Sequence, residues 1–397
     1  MRMNRLLLYF SSLLLLCASC IQDELPEAEC DILAVEPAWL SENVHLLKGE
    51  PAVANRSVMF TVNPETDRSA LAPRFVLTPG ARLTAVVDGR ETEANGLVRN
   101  FNSPQTYTTH SADGQWSKDY RVAFNYPLTI KRLTFDNYEL QDDKFHRWYE
   151  IDPADTENPC RYYWDSGNSG FAITGVGKNY DDYPTAATDS AISGKGVRLR
   201  TCATGAFGER VNMPIAAGNL FIGRFVTATA VAQPLRATRF GLPEVVGGRP
   251  LRLEGYYTYT AGKTMTDKKG NVRPELRDTA DIYAVLYELP ATGETDAEGR
   301  TTYKAEPLDG DNVLTSERIV LMARIADPGE PQEWTRFVEP FREVNGKTFD
   351  YERLRLGGYA LSVVLTSSRQ GAYFVGAVGS TLHADELNIV WEGDPDQ

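Results

Sequence analysis

The chain has 397 residues, 42% of them hydrophobic, with 54 acidic side chains against 41 lysines and arginines and a formal charge of −13. That length is enough for two or three domains. The negative balance excludes a protein that holds nucleic acid or an anionic lipid surface by charge, because it repels phosphates.

Reading from the N-terminus, Arg2 and Arg5 precede an uncharged, leucine-rich run from Leu6 to Ala18. A helix needs ~20 residues to span a bilayer, so this shorter run is the apolar region of a signal peptide covering residues 1–19. It ends in Cys17-Ala18-Ser19-Cys20, which resembles the lipobox cut by lipoprotein signal peptidase, although Cys17 stands where that pattern prefers leucine. The resemblance implies an acyl anchor on Cys20. Ile21-Gln22-Asp23-Glu24 is similar to the surface-export signal of Bacteroidetes lipoproteins; the same acids also suit a solvated linker. The expectation is a protein anchored by lipid in the outer membrane and facing the cell exterior, its acyl chains the sole attachment. Residues 20–37, acidic and carrying Pro26 and Pro37, read as a tether.

Strand signals follow. Val58, Phe60 and Val62 alternate with polar or small residues, Phe75 and Leu77 do so before the Pro79-Gly80 turn, and Tyr120, Val122, Phe124 and Tyr126 share one face of a further strand. Residues 38–127 therefore suit one immunoglobulin-like sandwich. Phe101 to Tyr107, Asp113-Gly114 and the closing strand resemble cadherin-like modules at the front of Bacteroidetes lipoproteins, which implies a spacer. Beyond Pro127 the pattern stays β: Leu128-Thr129-Ile130, Val197 to Thr201, Leu251 to Gly255, Tyr359 to Thr366 and Leu387 to Trp391 alternate or run apolar. Thr292 to Lys304 reads as an exposed hairpin tip, and 393–397 as a tail. No long segment carries a helical stripe. The fold class is thus all-β, an N-terminal Ig-like β-sandwich followed by a larger jelly-roll β-sandwich over 128–392.

The C-terminal segments, taken together, resemble the putative carbohydrate metabolism domain, a jelly-roll family of Bacteroidetes surface lipoproteins. The matching pieces include Trp164-Asp165-Ser166-Gly167-Asn168-Ser169-Gly170, Ala217 to Gly223, Phe240-Gly241-Leu242-Pro243, Gly255 to Tyr259, Asp281-Ile282-Tyr283, Trp334 to Phe341, Ser367-Ser368, and Phe374 to Leu382 leading to Asp385-Glu386-Leu387. The resemblance implies an activity on glycans without assigning it to residues.

A sugar site needs flat rings for C–H faces beside polar groups for hydroxyls. Trp164, with Asp165 and Asn168 in a Ser/Gly/Asn-rich turn, meets that description, as does the loop Asn179 to Tyr183. Tyr256 points to the opposite strand face from Leu251, Leu253, Tyr257 and Tyr259, which read as core with Trp334 and Trp391. The glycan-binding set is Trp164, Asp165, Asn168, Tyr183 and Tyr256. Hydrolysis would need two carboxylates about 5 to 9.5 Å apart. Asp165, Asp181, Asp182 and Glu254 lie near candidate aromatics, and the sequence selects no pair among them.

The histidines, His45, His110, His146 and His383, lack a zinc spacing, and no nucleophile elbow, phosphate loop or dinucleotide fingerprint is present. Jelly rolls of the carbohydrate-binding kind place a structural calcium between first and last strands, where Asp136, Glu139, Asp385 and Glu386 supply oxygens; turn capping and solvation suit the same acids. Cys30, Cys160 and Cys202 remain after the signal, and a Cys160–Cys202 disulfide is one outcome in an oxidising envelope. Asp189-Ser190-Ala191 and Asp278-Thr279-Ala280 resemble the acceptor of Bacteroidetes protein O-glycosylation. Glycan or polysaccharide is the expected partner, nucleic acid is not, and the readings in competition are a glycan binder, a glycoside hydrolase and a structural or protein-interaction module.

Overall fold

The computed structural model describes residues 30–47, 50–54, 56–62, 66–125, 132–152, 159–295 and 299–394. Cys20, the signal and export segments, Tyr126, Leu128-Thr129-Ile130 and the tail from 395 lie outside them. Among the described residues no helix exceeds six residues, and none is long and apolar enough to cross a membrane. The chain divides into two compact units, the first holding residues up to Glu42 with Pro51–Phe60 and Asp67–Phe124, the second Asn43–Glu50, Thr61–Thr66 and Asn125–Gln397.

The N-terminal unit is an Ig-like sandwich. Its six-stranded sheet runs Ala52–Ala54, Ser57–Thr61, Ser117–Asn125, Gln105–His110, Arg82–Val87, Arg90–Glu93, and a two-stranded sheet pairs Ile32–Val35 with Phe75–Leu77. The alternating aromatics meet between the sheets: Phe60 and Phe124 stack at 4.1 Å, and Trp39 meets both edge-on. Tyr120 ties the sheets together, its hydroxyl accepting from Ile32 N (3.1 Å) and donating to Asp31 Oδ1 (2.8 Å). The tether expected over 20–37 is corrected here. Ile32 and Val35 are buried at the two ends of a strand whose register shifts between Ile32 and Ala34, and Pro37–Glu42 is a short helix that buries Trp39, so ordered structure begins by Cys30. Two prolines and some acids were an incomplete guide, because four residues of strand fit between them.

The C-terminal unit is a jelly roll of two facing sheets. An eight-stranded sheet runs Leu308–Asp309, Thr238–Phe240, Asn219–Phe225, Tyr359–Thr366, Asp281–Glu288, Ile319–Arg324, Arg342–Glu343, with Trp164–Asp165 also paired to Asn219–Phe225. The six-stranded sheet runs Thr185–Thr188, Gly196–Arg200, Thr381–Trp391, Pro250–Thr260, Thr335–Pro340, with Arg132–Leu133 added to Thr381–Trp391. Between them Leu220, Ile222, Ile282, Val363 and Leu365 meet Leu253, Tyr257, Tyr259, Leu382 and Trp391. Tyr257, Tyr259 and Trp391 are buried as their strand parity predicts, whereas Trp334, just before its strand, keeps partial exposure.

The eight-stranded sheet is also apolar on its other face, where Phe221, Tyr283, Val285, Tyr287, Ala360 and Val364 form a second cluster. Asp281–Glu288 and Tyr359–Thr366 are buried at seven of eight positions each. A strand with both faces buried reads as a continuous apolar run rather than an alternation. Ala291–Thr295 and Thr301–Tyr303 form the expected hairpin. The three cysteines among the described residues, Cys30, Cys160 and Cys202, are free thiols, which corrects the Cys160–Cys202 disulfide: Cys160 faces Ile151 in a two-residue ladder, while Cys202 packs with Phe145, Phe171 and Tyr183.

Candidate functional site

Trp164 pairs with Ile222 and Asp165 with Phe221. Strand parity therefore sends the Trp164 ring inward with Ile222, where it is 1% exposed, lies 5.5 Å from Phe135, and donates from Nε1 to Glu150 Oε1 at 2.8 Å. A sugar platform needs an open ring face, so Trp164 is core and its glycan-binding assignment is corrected. Asp165 turns the other way and caps backbone, accepting from Ser166 N (2.8 Å) and Phe225 N (2.7 Å); burial pushes its carboxyl above the usual range in spite of Arg147 and those amides.

Asn168 is fully buried and imitates a backbone pair, Nδ2 donating to Thr185 O (2.8 Å) and Oδ1 accepting from Thr185 N (3.1 Å). It stitches the turn to strand Thr185–Thr188 and touches no solvent. Tyr183, 2% exposed, is wedged between Phe145 and Phe171 at 5.1 and 5.6 Å. Tyr256 lies on the outer face of the six-stranded sheet, paired across strands with Arg336 and Asp385, away from the other four. The five predicted residues thus do not form one binding surface.

What the Trp164–Gly170 segment does build is one wall of a cleft. Gly167, Gly170 and Phe171 line a cleft of about 330 Å³ over the outer face of the eight-stranded sheet, whose floor is Phe221, Tyr283 and Val364. That volume lies within the range of small-molecule sites. Four further segments enclose it: the short helix Gly205–Arg210 with the chain to Ala217, the turns between Phe225 and Thr238, Gly310–Thr315, and Ser368–Phe374. Phe225 sits where a Cβ on Gly170 would stand 3.0 Å from its ring, so that glycine sets how closely two walls approach. Phe207 and Tyr373 are exposed at 40% and 52%, and Phe374, also in the lining, is held at φ +59°, a left-handed conformation that costs a bulky residue. Sequence reasoning missed Phe207, Phe225 and Tyr373. The one available signal was the apolar run Leu220-Phe221-Ile222, which marks a strand with something covering both faces.

Polar groups in the cleft are largely committed elsewhere. Asp281, its side chain 2% exposed, takes both hydrogen bonds of the Arg324 fork, at 2.9 and 2.6 Å, with Arg369 3.7 Å away. Thr185 Oγ1 donates to Asn219 O, Thr204 Oγ1 to Met213 O, and Ser368 Oγ to Asp278 Oδ2. Arg369 Nη2 donates to Ala326 O (3.2 Å), while its buried Nε has no hydrogen-bond partner among the described residues.

The other predicted acids have local duties. Asp182 accepts from Lys178 N and Asn179 N, and Glu254 pairs with Arg252 and Arg336 at 3.3 and 3.0 Å. Behind Trp164 lies Glu150, whose carboxyl burial pushes up to about 7 against the lowering effect of the Trp164 bond. The void beside Trp164 and Asp165 is only about 10 Å³, room for a single water and not for a sugar.

Among the described residues no three His, Cys, Asp or Glu side chains converge as a metal site. The calcium set is corrected accordingly. Asp136 Oδ1 accepts from Lys195 N (2.8 Å), and Asp385 Oδ2 from Ile192 N and Ser193 N (2.6 and 3.0 Å), so both acids cap one loop. Glu139 lies elsewhere, beside Tyr162. In the acceptor-like tripeptides, Asp189 and Ser190 are exposed, whereas Asp278 is buried as the acceptor for Ser368, Ser380 and Ala377 N.

Residues 134–390 match the family model of the putative carbohydrate metabolism domain, and residues 47–123 that of the SGBP N-terminal domain. The chain belongs to the putative carbohydrate metabolism domain family. This carbohydrate-related chain is similar along most of its length to the crystal structure of a putative glycoside hydrolase from Bacteroides thetaiotaomicron VPI-5482, at 40% identity, with 94% of this chain and 99% of that one covered and a TM-score of 0.76. A putative glycoside hydrolase from Bacteroides vulgatus ATCC 8482 is 36% identical over 66% of this chain and 99% of its own, with a TM-score of 0.56. No curated protein matches the chain. In the carbohydrate metabolism domain the cleft floor comes from the matched segments Asn219–Phe225, Asp281–Glu288 and Tyr359–Thr366.

Proposed function

We propose that the protein binds a glycan in the cleft on the eight-stranded sheet, and that it does so at the cell exterior, held to the outer membrane by acyl chains on Cys20. The observation that carries the reading is the juxtaposition of exposed rings, Phe207 and Tyr373, with an aromatic-floored cleft in a carbohydrate-related domain. Rings of this kind cover the C–H faces of sugars. Binding without hydrolysis is favoured because the acids lining the cleft are Asp281 and Asp311, and Asp281 has both oxygens tied to Arg324. Glycosidic cleavage calls for two carboxylates free to act across the bond.

A hydrolase is the second reading, supported by the description of the two similar structures. One experiment separates them. The purified full-length protein is screened against a polysaccharide array and each ligand is then incubated for release of reducing ends. Retention with no release supports the binder. Phe207→Ala and Tyr373→Ala each weaken retention about tenfold or more while leaving the melting temperature within ~1 °C, as expected for exposed positions. Unchanged retention in both removes the cleft from the reading, and release of reducing ends establishes the hydrolase. Metabolic labelling with a fatty acid tags the wild type and not Cys20→Ala; a tag in both, or in neither, defeats the anchor.

A further inference from the structure

The cleft has many ring faces and few free hydrogen-bonding groups. Among its polar lining residues, Thr174 Oγ1 donates to Phe171 O, Thr185 and Thr204 donate to backbone carbonyls, Ser368 donates to Asp278, and Asp281 is filled by Arg324. Asn219 Oδ1 already accepts from Gly167 N. A sugar ring lodged at the floor would bury several hydroxyls against few free partners, Asn219 Nδ2 and the Tyr283 hydroxyl among them, and an unpaired buried hydroxyl opposes binding more than a missing contact does. An apolar group meets no such penalty against Phe221, Tyr283, Val313 and Val364, and its burial is favourable in proportion to area. Groups able to meet hydroxyls, Asp311 and Thr315, are exposed.

Resting on the reading that the cleft takes a glycan, we propose that the glycan is acylated or arylated, its ester substituent filling the apolar depth while the sugar ring stays outside against Phe207 and Tyr373. Charge selects an ester over a free fatty acid. Asp281 is neutralised by Arg324, which leaves exposed Asp311 as the acid of the lining that an incoming carboxylate would meet as like charge and an uncharged ester would not. The step is binding alone: no bond is made or broken.

The test compares matched ligands by calorimetry with the purified full-length protein: acetylated glucomannan and feruloylated arabinoxylan, each before and after mild alkaline saponification, and dodecanoate. At least one substituted polysaccharide binds tenfold or more tighter than its saponified form, and dodecanoate binds more weakly than that polysaccharide. Val231→Trp and Ala372→Trp, both at exposed lining positions, narrow the opening without entering the core and remove the preference with the melting temperature unchanged. Equal binding of substituted and saponified forms, lost in the Trp variants, overturns the ester and leaves the glycan reading standing. Tight dodecanoate binding with no polysaccharide bound overturns the glycan reading itself, and binding of none of the five overturns both.

Discussion

Replacing Glu150 with glutamine tests the buried polar contact behind Trp164. The Glu150 carboxyl accepts from Trp164 Nε1 at 2.8 Å, yet loss of water raises it from the ordinary 4.5 to about 7. The folded state therefore holds its proton more tightly than the unfolded chain does. Stability from this group is complete below pH 4.5, declines as pH rises through about 7, and stays lost above. At about 1.4 kcal/mol per pH unit, the interval between the two values corresponds to an upper bound of about 3 kcal/mol. Glutamine keeps an oxygen for Trp164 and carries no charge at any pH. The Glu150→Gln protein should match the wild type near pH 4.5 and exceed it at pH 8 by up to about 3 kcal/mol, equivalent to roughly 6 to 12 °C for a domain of this size. Urea unfolding followed by tryptophan fluorescence at both pH values measures the difference. A difference that does not grow between pH 4.5 and 8 would refute the reasoning, as would a variant less stable at pH 8.

Asn168→Ala removes both hydrogen bonds to Thr185 at a fully buried position and should cost about 2 to 4 kcal/mol, seen as a lower urea midpoint of the C-terminal domain, with loss of cleft binding as a consequence. Gly218→Ala would set a Cβ 2.3 Å from Arg200 N and 2.5 Å from Pro184 O, both backbone atoms, so it should destabilise by ~3 kcal/mol or more and reduce the yield of soluble protein. Dithiothreitol should leave the melting temperature unchanged, because Cys30, Cys160 and Cys202 are thiols and calorimetry of the untreated protein already reports the reduced state.

Much of the frame was legible because a strand with one wet face declares its parity. Leu253, Tyr257 and Tyr259 could be assigned inward and Tyr256 outward from alternation alone, and the structure places them so. The same rule applied to Trp164 fails for want of a partner: two residues of strand carry no alternation, and the inward direction comes from pairing with Ile222, 58 positions further along, which no local pattern reveals. The first strand, Ile32–Val35, was hidden for a similar reason, its partner Phe75–Leu77 lying far downstream. Asp136 and Asp385 suggest a cation from sequence because both are acids near the first and last strands, but oxygen-bearing side chains at a strand end serve backbone amides as readily as a cation, and here Lys195, Ile192 and Ser193 claim them.

The cleft resisted sequence reading because its walls come from five separated segments, each too short to show a pattern. Gly218 lies where any side chain would strike the backbone of Arg200 and Pro184, and Gly241, at φ +97°, where one would strike the Tyr287 ring at 2.5 Å. Both glycines bring chain segments closer than a Cβ allows, so the motifs around them, Ala217 to Gly223 and Phe240 to Pro243, encode how the jelly roll closes as well as the cleft residues Phe221 and Phe240. Ligand chemistry then rests with Phe207, Val231, Asp311 and Tyr373, which stand on loops, are exposed to solvent and contribute little to the sandwich core. Exchanging the chain from Gly205 to Met213 for that of another family member should therefore alter which glycan is retained while the C-terminal domain unfolds at nearly the same urea concentration. A chimera that keeps both the stability and the ligand preference of the recipient protein would show that the floor, Phe221, Tyr283 and Val364, does the selecting instead.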